Sequence, residues 1–168
     1  LIDLTLARSA DGALLLVALI RYEGTLELDG LAPLSQSGTT PDFAVVAFDP
    51  AVIPQWGRSF GGAGTTVPRS LAATSEGLFV AGAYEGSFDR FSSAGREGFL
   101  LALEAVDGTD RWSRTLGGAG TFAFEDVAAV VRRVVVVGSA TSAGTLNETS
   151  ETIAHGGGGR DGLWLGFD

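Results

Sequence analysis

The 168-residue chain contains no cysteine, no methionine and no lysine, and only one histidine and one asparagine. Each shortage removes a class of chemistry. Without cysteine there are neither disulfides nor thiolate metal sites. His155 alone cannot assemble a zinc site, and the acids near it, Glu148, Glu151 and Asp161, show no ligand spacing. All 11 basic residues are arginine, scattered along the chain against 20 acids, for a net charge of −9. Contacts to phosphate backbones need a basic patch, so nucleic acid is excluded as a partner. The acidity reads as solubility. Ala13 to Ile20 is apolar but far short of a membrane span, and it lacks the basic leader and cleavage box of a signal peptide. No stretch carries a sustained 3.6-residue apolar period with caps, so no helix is expected. The absence of an initiating methionine points to a processed product or a piece of a longer protein.

What is present is a folded composition, 45% apolar and 18% charged with 25 glycines, arranged as an internal repeat. Trp56-Gly57-Arg58-Ser59-Phe60-Gly61-Gly62-Ala63-Gly64-Thr65 returns 56 residues later as Trp112-Ser113-Arg114-Thr115-Leu116-Gly117-Gly118-Ala119-Gly120-Thr121, identical at seven of ten positions. A second block occurs three times, beginning at Asp42, Glu97 and Asp161, each time opened and closed by an acid with a small residue sixth (Ala47, Ala102, Gly166). A third, looser block begins at Tyr22-Glu23-Gly24, Tyr84-Glu85-Gly86 and Ser142-Ala143-Gly144. Tyr22, Glu23, Tyr84 and Glu85 of this block are candidate binding-loop residues. The blocks divide the chain into units 1–55, 56–111 and 112–168 of one repeat domain.

Each unit holds short β-type runs separated by turn signals. They are Ile2–Ala7, Ala13–Tyr22, Phe43–Phe48 and Pro54–Phe60; then Arg69–Thr74, Leu78–Tyr84, Phe99–Ala105 and Arg111–Leu116; then Glu125–Val130, Val134–Ala140 and Leu163–Phe167. Turns are expected at Glu76-Gly77, through a glycine-serine loop near Ser92–Gly98, and at Asp107-Gly108. Phe43–Phe48, Leu78–Ala83 and Phe99–Leu103 are almost continuously apolar, the mark of strands covered on both faces. Asn147–Gly159 interrupts the third unit as a polar, glycine-ended insertion, expected as a surface loop between its second and third strands.

These residues resemble the bacterial SBBP-type β-propeller repeat. The positions that carry the resemblance are Trp56, Arg58, Gly61, Gly62, Gly64, Gly77, Val80, Gly82, Gly86, Phe99, Leu103, Asp107 and Gly108, then Trp112, Arg114 and Gly117 onward. It covers essentially the whole chain, best over 56–144. It departs where unit one has no opening tryptophan box, where Arg132-Arg133 replaces an acid-glycine turn, and at the 147–159 insertion. The resemblance implies three four-stranded antiparallel blades of a partial or oligomer-completed propeller, in an exported bacterial protein, extracellular, cell-surface or periplasmic, with no shared catalytic residues. Leu103–Trp112 is also similar to the quinoprotein-type propeller motif, which implies an outer-membrane assembly scaffold or a quinone-cofactor dehydrogenase as the alternative.

Possible chemistry is weighed against structural roles. Trp56 and Trp112 are expected between blades, with a carbohydrate-stacking platform as the alternative. Arg58 and Arg114, two residues on, share their strand face and are expected to stack on aromatics or pair with acids. The loops Gly61, Gly62, Gly64 and Gly117, Gly118, Gly120 have the glycine density of an anion cradle but not the lysine or following helix of a P-loop, so glycine's tolerance of positive φ in a tight loop explains them. Asp107, Asp110, Glu125 and Asp126 offer oxygen to calcium, without the spacing or closing glutamate of an EF-hand. A Ser-His-Asp triad has no G-x-S-x-G elbow to support it. The expectation is a non-catalytic structural or interaction module without a cofactor. Its partners are further copies, the rest of a longer chain, or a surface protein or glycan. A lectin-like module and a fragment of a propeller hydrolase or quinoprotein are the alternatives.

Overall fold

The computed structural model describes residues 1–9, 11–75, 77–131, 133–147 and 149–167. Glu76, Arg132, Glu148 and Asp168, which figured in the turn, insertion and repeat readings, lie outside them. The fold is all-β and antiparallel throughout, with no helix among the described residues. No helix is therefore long and apolar enough to cross a membrane.

Three sheets follow one another along the chain. The first has the order β1-β2-β5-β6, from Asp3–Arg8, Leu14–Tyr22, Asp42–Phe48 and Pro54–Phe60. The second is built on β7 (Thr65–Thr74), β8 (Gly77–Phe88), β9 (Phe91–Leu103) and β10 (Asp110–Gly117). The third has the order β11-β12-β15, from Phe122–Val130, Arg133–Ala140 and Asp161–Phe167. All eleven expected strands are found. Four short ones were not expected: the hairpin of β3 (Thr25–Leu26) and β4 (Leu34–Ser35), and β13 (Gly144–Leu146) with β14 (Thr152–Ile153), which extend the second sheet beyond β10.

Alternating side chains explain the stacking. In β9, Phe99, Leu101 and Leu103 enter a core shared with Phe43, Val45 and Ala47 of β5, while Leu100 and Ala102 enter a core shared with Val134 and Val136 of β12. The second sheet is thus the middle layer, and its near-continuous apolar strands are buried on both faces. The first sheet's other face, with Ala44 and Val46, is covered by Leu26, Leu28 and Leu34 from the β3–β4 region. The core between the first and second sheets is aromatic. Phe43 stacks on Phe60 and Phe99 at 5.1 and 5.8 Å between centroids, and Phe88 lies 4.8 Å from Phe99. Such pairs add about 0.5–1.5 kcal/mol each beyond the area they bury.

Two loop expectations are corrected. Ser92–Gly98 is not a loop: it is the first half of β9, paired with β8 from Ser87↔Ser92 to Ala83↔Gly98. The connection shrinks to Asp89-Arg90, with Asp89 at φ 48°, a left-handed position that aspartate tolerates in tight turns. The 147–159 insertion does lie between the second and third strands of the third sheet, but it is not only a surface loop. Asn147 donates its backbone N–H to the Thr115 carbonyl at 2.9 Å, β14 pairs with β13, and Ile153 packs on the core between the second and third sheets. Its first backbone donor finds a partner on β10, which a purely solvent-exposed loop does not require. Ile153→Ala is therefore expected to cost about 1 kcal/mol, a drop of ~2–4 °C in Tm by calorimetry. An unchanged Tm would return the segment to the status of a passive loop.

Candidate interaction sites

The Trp-x-Arg segment acts between sheets. Trp56 lies on β6 opposite Ala47, and Arg58 opposite Val45, so both point from the first sheet toward the second. There the β9–β10 turn receives them. The Trp56 indole N–H donates to the Ala105 carbonyl at 3.1 Å, and Arg58 donates to the Gly108 carbonyl at 2.8 Å. Gly108 has φ 73°, and a Cβ there would stand 2.6 Å from the indole ring, so the turn and the ring contact require the same glycine. Arg58 also meets Asp110 at 2.9 Å and lies over the Phe60 ring at 4.7 Å. Arg90 reaches the same Asp110 carboxylate at 2.9 Å. Burial opposes ionisation of Asp110, but the hydrogen bond and charge of Arg58, joined by Arg90, hold it below the ordinary carboxylate range. On β10, Trp112 contacts Phe79 and Phe167 at 5.9 and 6.1 Å, and Arg114 lies over the Trp112 ring at 5.2 Å.

The glycine loops serve close approach and not the positive φ expected of them: none of the six is a positive-φ glycine. The Gly64 N–H donates to the Ser87 carbonyl and the Asp89 N–H to the Gly61 carbonyl, at 2.8 and 2.7 Å, so the β8–β9 tip closes over the end of the first sheet. A Cβ on Gly62 would lie 2.4 Å from the Ser87 carbonyl oxygen, and one on Gly64 2.2 Å from that of Glu85. Gly61 and Gly117 each lie beneath the opening acid of the second repeat block, Asp42 and Glu97 respectively. Around the second loop, Gly117 pairs with Thr145 and Gly118 faces the Ala143 carbonyl. Gly120 meets only the hydroxyls and Cβ of Thr141 and Ser142 at closest range. The same block thus receives the third block of its own unit in both places.

That third block is where the tyrosines sit. Tyr22 and Tyr84 are buried, whereas Glu23 and Glu85 beside them are exposed. Tyr84 donates its hydroxyl to Glu97 at 2.7 Å, and Tyr22 shares a hydrogen bond with Ser59. Burial raises both hydroxyls above their ordinary pKa, Tyr84 the further because it also faces Glu97. The tyrosines are therefore interior struts, and only the two glutamates present a surface.

A feature the sequence reading did not isolate lies on the first strands of the three sheets. Asp3, Ser70 and Asp126 hold equivalent register positions, opposite Leu19, Ala81 and Val137. Asp3 accepts the Leu71 N–H at 2.8 Å, and Ser70 donates to Asp126 at 2.6 Å. β7 and β11 are bulged just before these residues, and the two bulge residues, Arg69 and Glu125, pair at 3.2 Å. The 56-residue offset between Arg69 and Glu125 was the available signal. The four acids offered to calcium are engaged elsewhere: Asp107 accepts from Thr109, Asp110 from Arg58 and Arg90, Glu125 from Arg69, Asp126 from Ser70. Among the described residues no group of acids and histidine is arranged to hold a metal. His155 lies 3.5 Å from Asp161.

Two clefts open beside the tryptophans. One of about 430 Å³ is bounded by Trp56, Leu14, Leu15, Pro50 and Val106. The other, about 520 Å³, lies between Trp112, Arg114 and Leu146 on one side and the β15 stretch from Trp164 to Phe167 on the other. No family model and no curated protein matches the chain.

Gly62→Ala should destabilise by about 2 kcal/mol or more, because the new methyl meets backbone, while Gly120→Ala, which meets rotatable hydroxyls, should cost much less. Urea melts of the two variants check this; equal losses would dissolve the distinction. For Asp110 the folded-state pKa is depressed, so its contribution is complete above the ordinary ~3.9 and is lost as pH falls through the folded value. Asp110→Asn should cost roughly 0.5–1 kcal/mol at neutral pH, discounted for its partial exposure. The gap from the parent should narrow as pH falls below the ordinary ~3.9 and close only below the depressed folded value in a pH series of melts.

Proposed function

We propose that the chain is a run of three propeller-type blades acting as a non-catalytic structural or interaction module of an exported bacterial protein, presenting its loops to a protein or glycan. The observation that carries this reading is the docking of one sheet on the next by residues of the repeated block. Trp56 and Arg58 on the first sheet seat on the Ala105–Asp110 turn of the second, and the Gly61–Gly64 and Gly117–Gly120 loops each receive the third block of their own unit. Residues that sequence inspection would nominate for chemistry, Trp56, Arg58, Asp110 and Tyr84, are spent on contacts between and within sheets. What remains at the surface are positions such as Glu23, in the turn after β2, and Glu85, which lies on β8 and not in the loop expected for it. Binding at such positions on a rigid β scaffold needs no perturbed catalytic group.

A lectin-like reading has one observation of its own. Trp164 is 74% exposed beside the larger cleft, and an exposed indole next to Trp112 is the kind of surface on which a sugar ring stacks. Protein and glycan arrays probed with the folded chain, and with Glu23→Ala/Glu85→Ala, test the two readings together. Polypeptide signal that falls in the double variant supports the interaction module. Glycan signal abolished by Trp164→Ala supports the lectin. Turnover of ester, glycoside or alcohol substrates by the purified chain would overturn both.

A further inference from the structure

In the first two sheets the third strand is paired on both sides, β5 with β2 and β6, β9 with β8 and β10. In the third sheet, among the described residues, β15 is paired on one side only, with β12. Register makes the comparison residue by residue. Val17↔Ala47, Phe79↔Ala102 and Val135↔Gly166 are one equivalent set, and Leu19↔Val45, Ala81↔Leu100 and Val137↔Trp164 are the next. The tryptophan of the outer strand pairs with the first of these positions, Ala47 by Trp56 and Ala102 by Trp112. The arginine pairs with the second, Val45 by Arg58 and Leu100 by Arg114.

We infer that the open edge of β15 is an acceptor for an extended polypeptide of this chain's own Trp-x-Arg type, preceded by an Asp-x-Gly-type turn as in residues 104–117. Three features of the seat fit that occupant. The free edge offers backbone hydrogen-bonding groups to an antiparallel strand. Gly166, with open space around its Cα, stands where the incoming tryptophan would lie, and the exposed Trp164 ring stands where the incoming arginine would lie, an arrangement favourable to a cation over a π face. The 520 Å³ cleft between Trp112, Arg114 and β15 occupies the place that the Ala105–Asp110 turn fills against Trp56 and Arg58 one sheet earlier. The same face of the third sheet leaves Val135 37% and Val137 45% exposed, while their equivalents Phe79 and Ala81 are buried. This inference rests on reading the three sheets as successive units of one array and adds the chemistry of the partner.

The test adds a synthetic peptide with the sequence of residues 104–118 to the full chain and follows calorimetry and amide exchange. One-to-one binding with slowed exchange confined to 161–167 is expected. A peptide with alanine in place of its tryptophan should bind roughly tenfold more weakly, and a scrambled peptide not at all. A folded chain that ignores the peptide would overturn the inference. So would peptide binding without protection of β15, self-association of the chain through β15 that the peptide cannot displace, or occupation of the cleft by an oligosaccharide in its stead. Circular dichroism run alongside separates these from failure of the array reading, which would show as loss of the β spectrum or of a cooperative melt in the Trp56→Ala variant alone.

Discussion

A strand that is apolar on both faces has to be covered twice, and the middle sheet imposes that demand on the whole molecule. Leu78, Val80, Leu101 and Leu103 project toward the first sheet, and Phe79, Ala81, Leu100 and Ala102 toward the third. Burying one such leucine, valine or phenylalanine is worth about 1.5–3 kcal/mol. Two outer layers are thus required to cover the middle one, and each must bring a complementary apolar face. The first sheet answers with Phe43, Val45 and Ala47, the third with Val134 and Val136.

Face packing alone does not set how one sheet is turned on the next. Directional contacts at the edges supply that. The Trp56 indole N–H and the Arg58 guanidinium both donate to carbonyls of a single turn, and Asp110 gathers two guanidinium groups at its far end. At the opposite end of the strand, glycines remove the side chains that would hold the β8–β9 tip away from the first sheet. Along the first strands of the second and third sheets, matched bulges re-aim Arg69 and Glu125 toward each other. Apolar layers therefore supply most of the energy, while these polar contacts select one arrangement among many that would bury similar area.

The two ends of the stack are finished differently. The first sheet carries leucines from the β3–β4 region over Ala44 and Val46. The third sheet exposes Val135, Val137 and Trp164. The segment between β2 and β5 folds back over its own sheet, whereas β13 and β14 extend the second sheet past β10.

The repeat, the antiparallel strands and the two-sided burial of Phe43–Phe48 and Phe99–Leu103 were all readable in the sequence, because each is written in local pattern: a 56-residue offset, runs of β-formers, apolar residues at consecutive positions. The glycine loops were legible only as tight turns, and the expected positive φ is absent from them because what they answer to is the neighbouring segment that crosses them. Other features depend on residues far apart in the chain and leave no local trace. Ser92–Gly98 has the composition of a loop and becomes strand because Ala83–Ser87 lies across from it. Tyr22 and Tyr84, which look like surface aromatics in a Tyr-Glu-Gly turn, are buried because the neighbouring layer closes over them, and their hydroxyls then need partners such as Ser59 and Glu97. The Asp3, Ser70 and Asp126 alignment exists only once three first strands lie side by side. Local pattern was enough to place eleven of the fifteen strands and to show how often the unit recurs, since propensity and periodicity are short-range. Tertiary structure decided which polar groups are consumed in holding sheets together and which edge is left open, since a partner across a sheet is chosen by register and packing between distant segments.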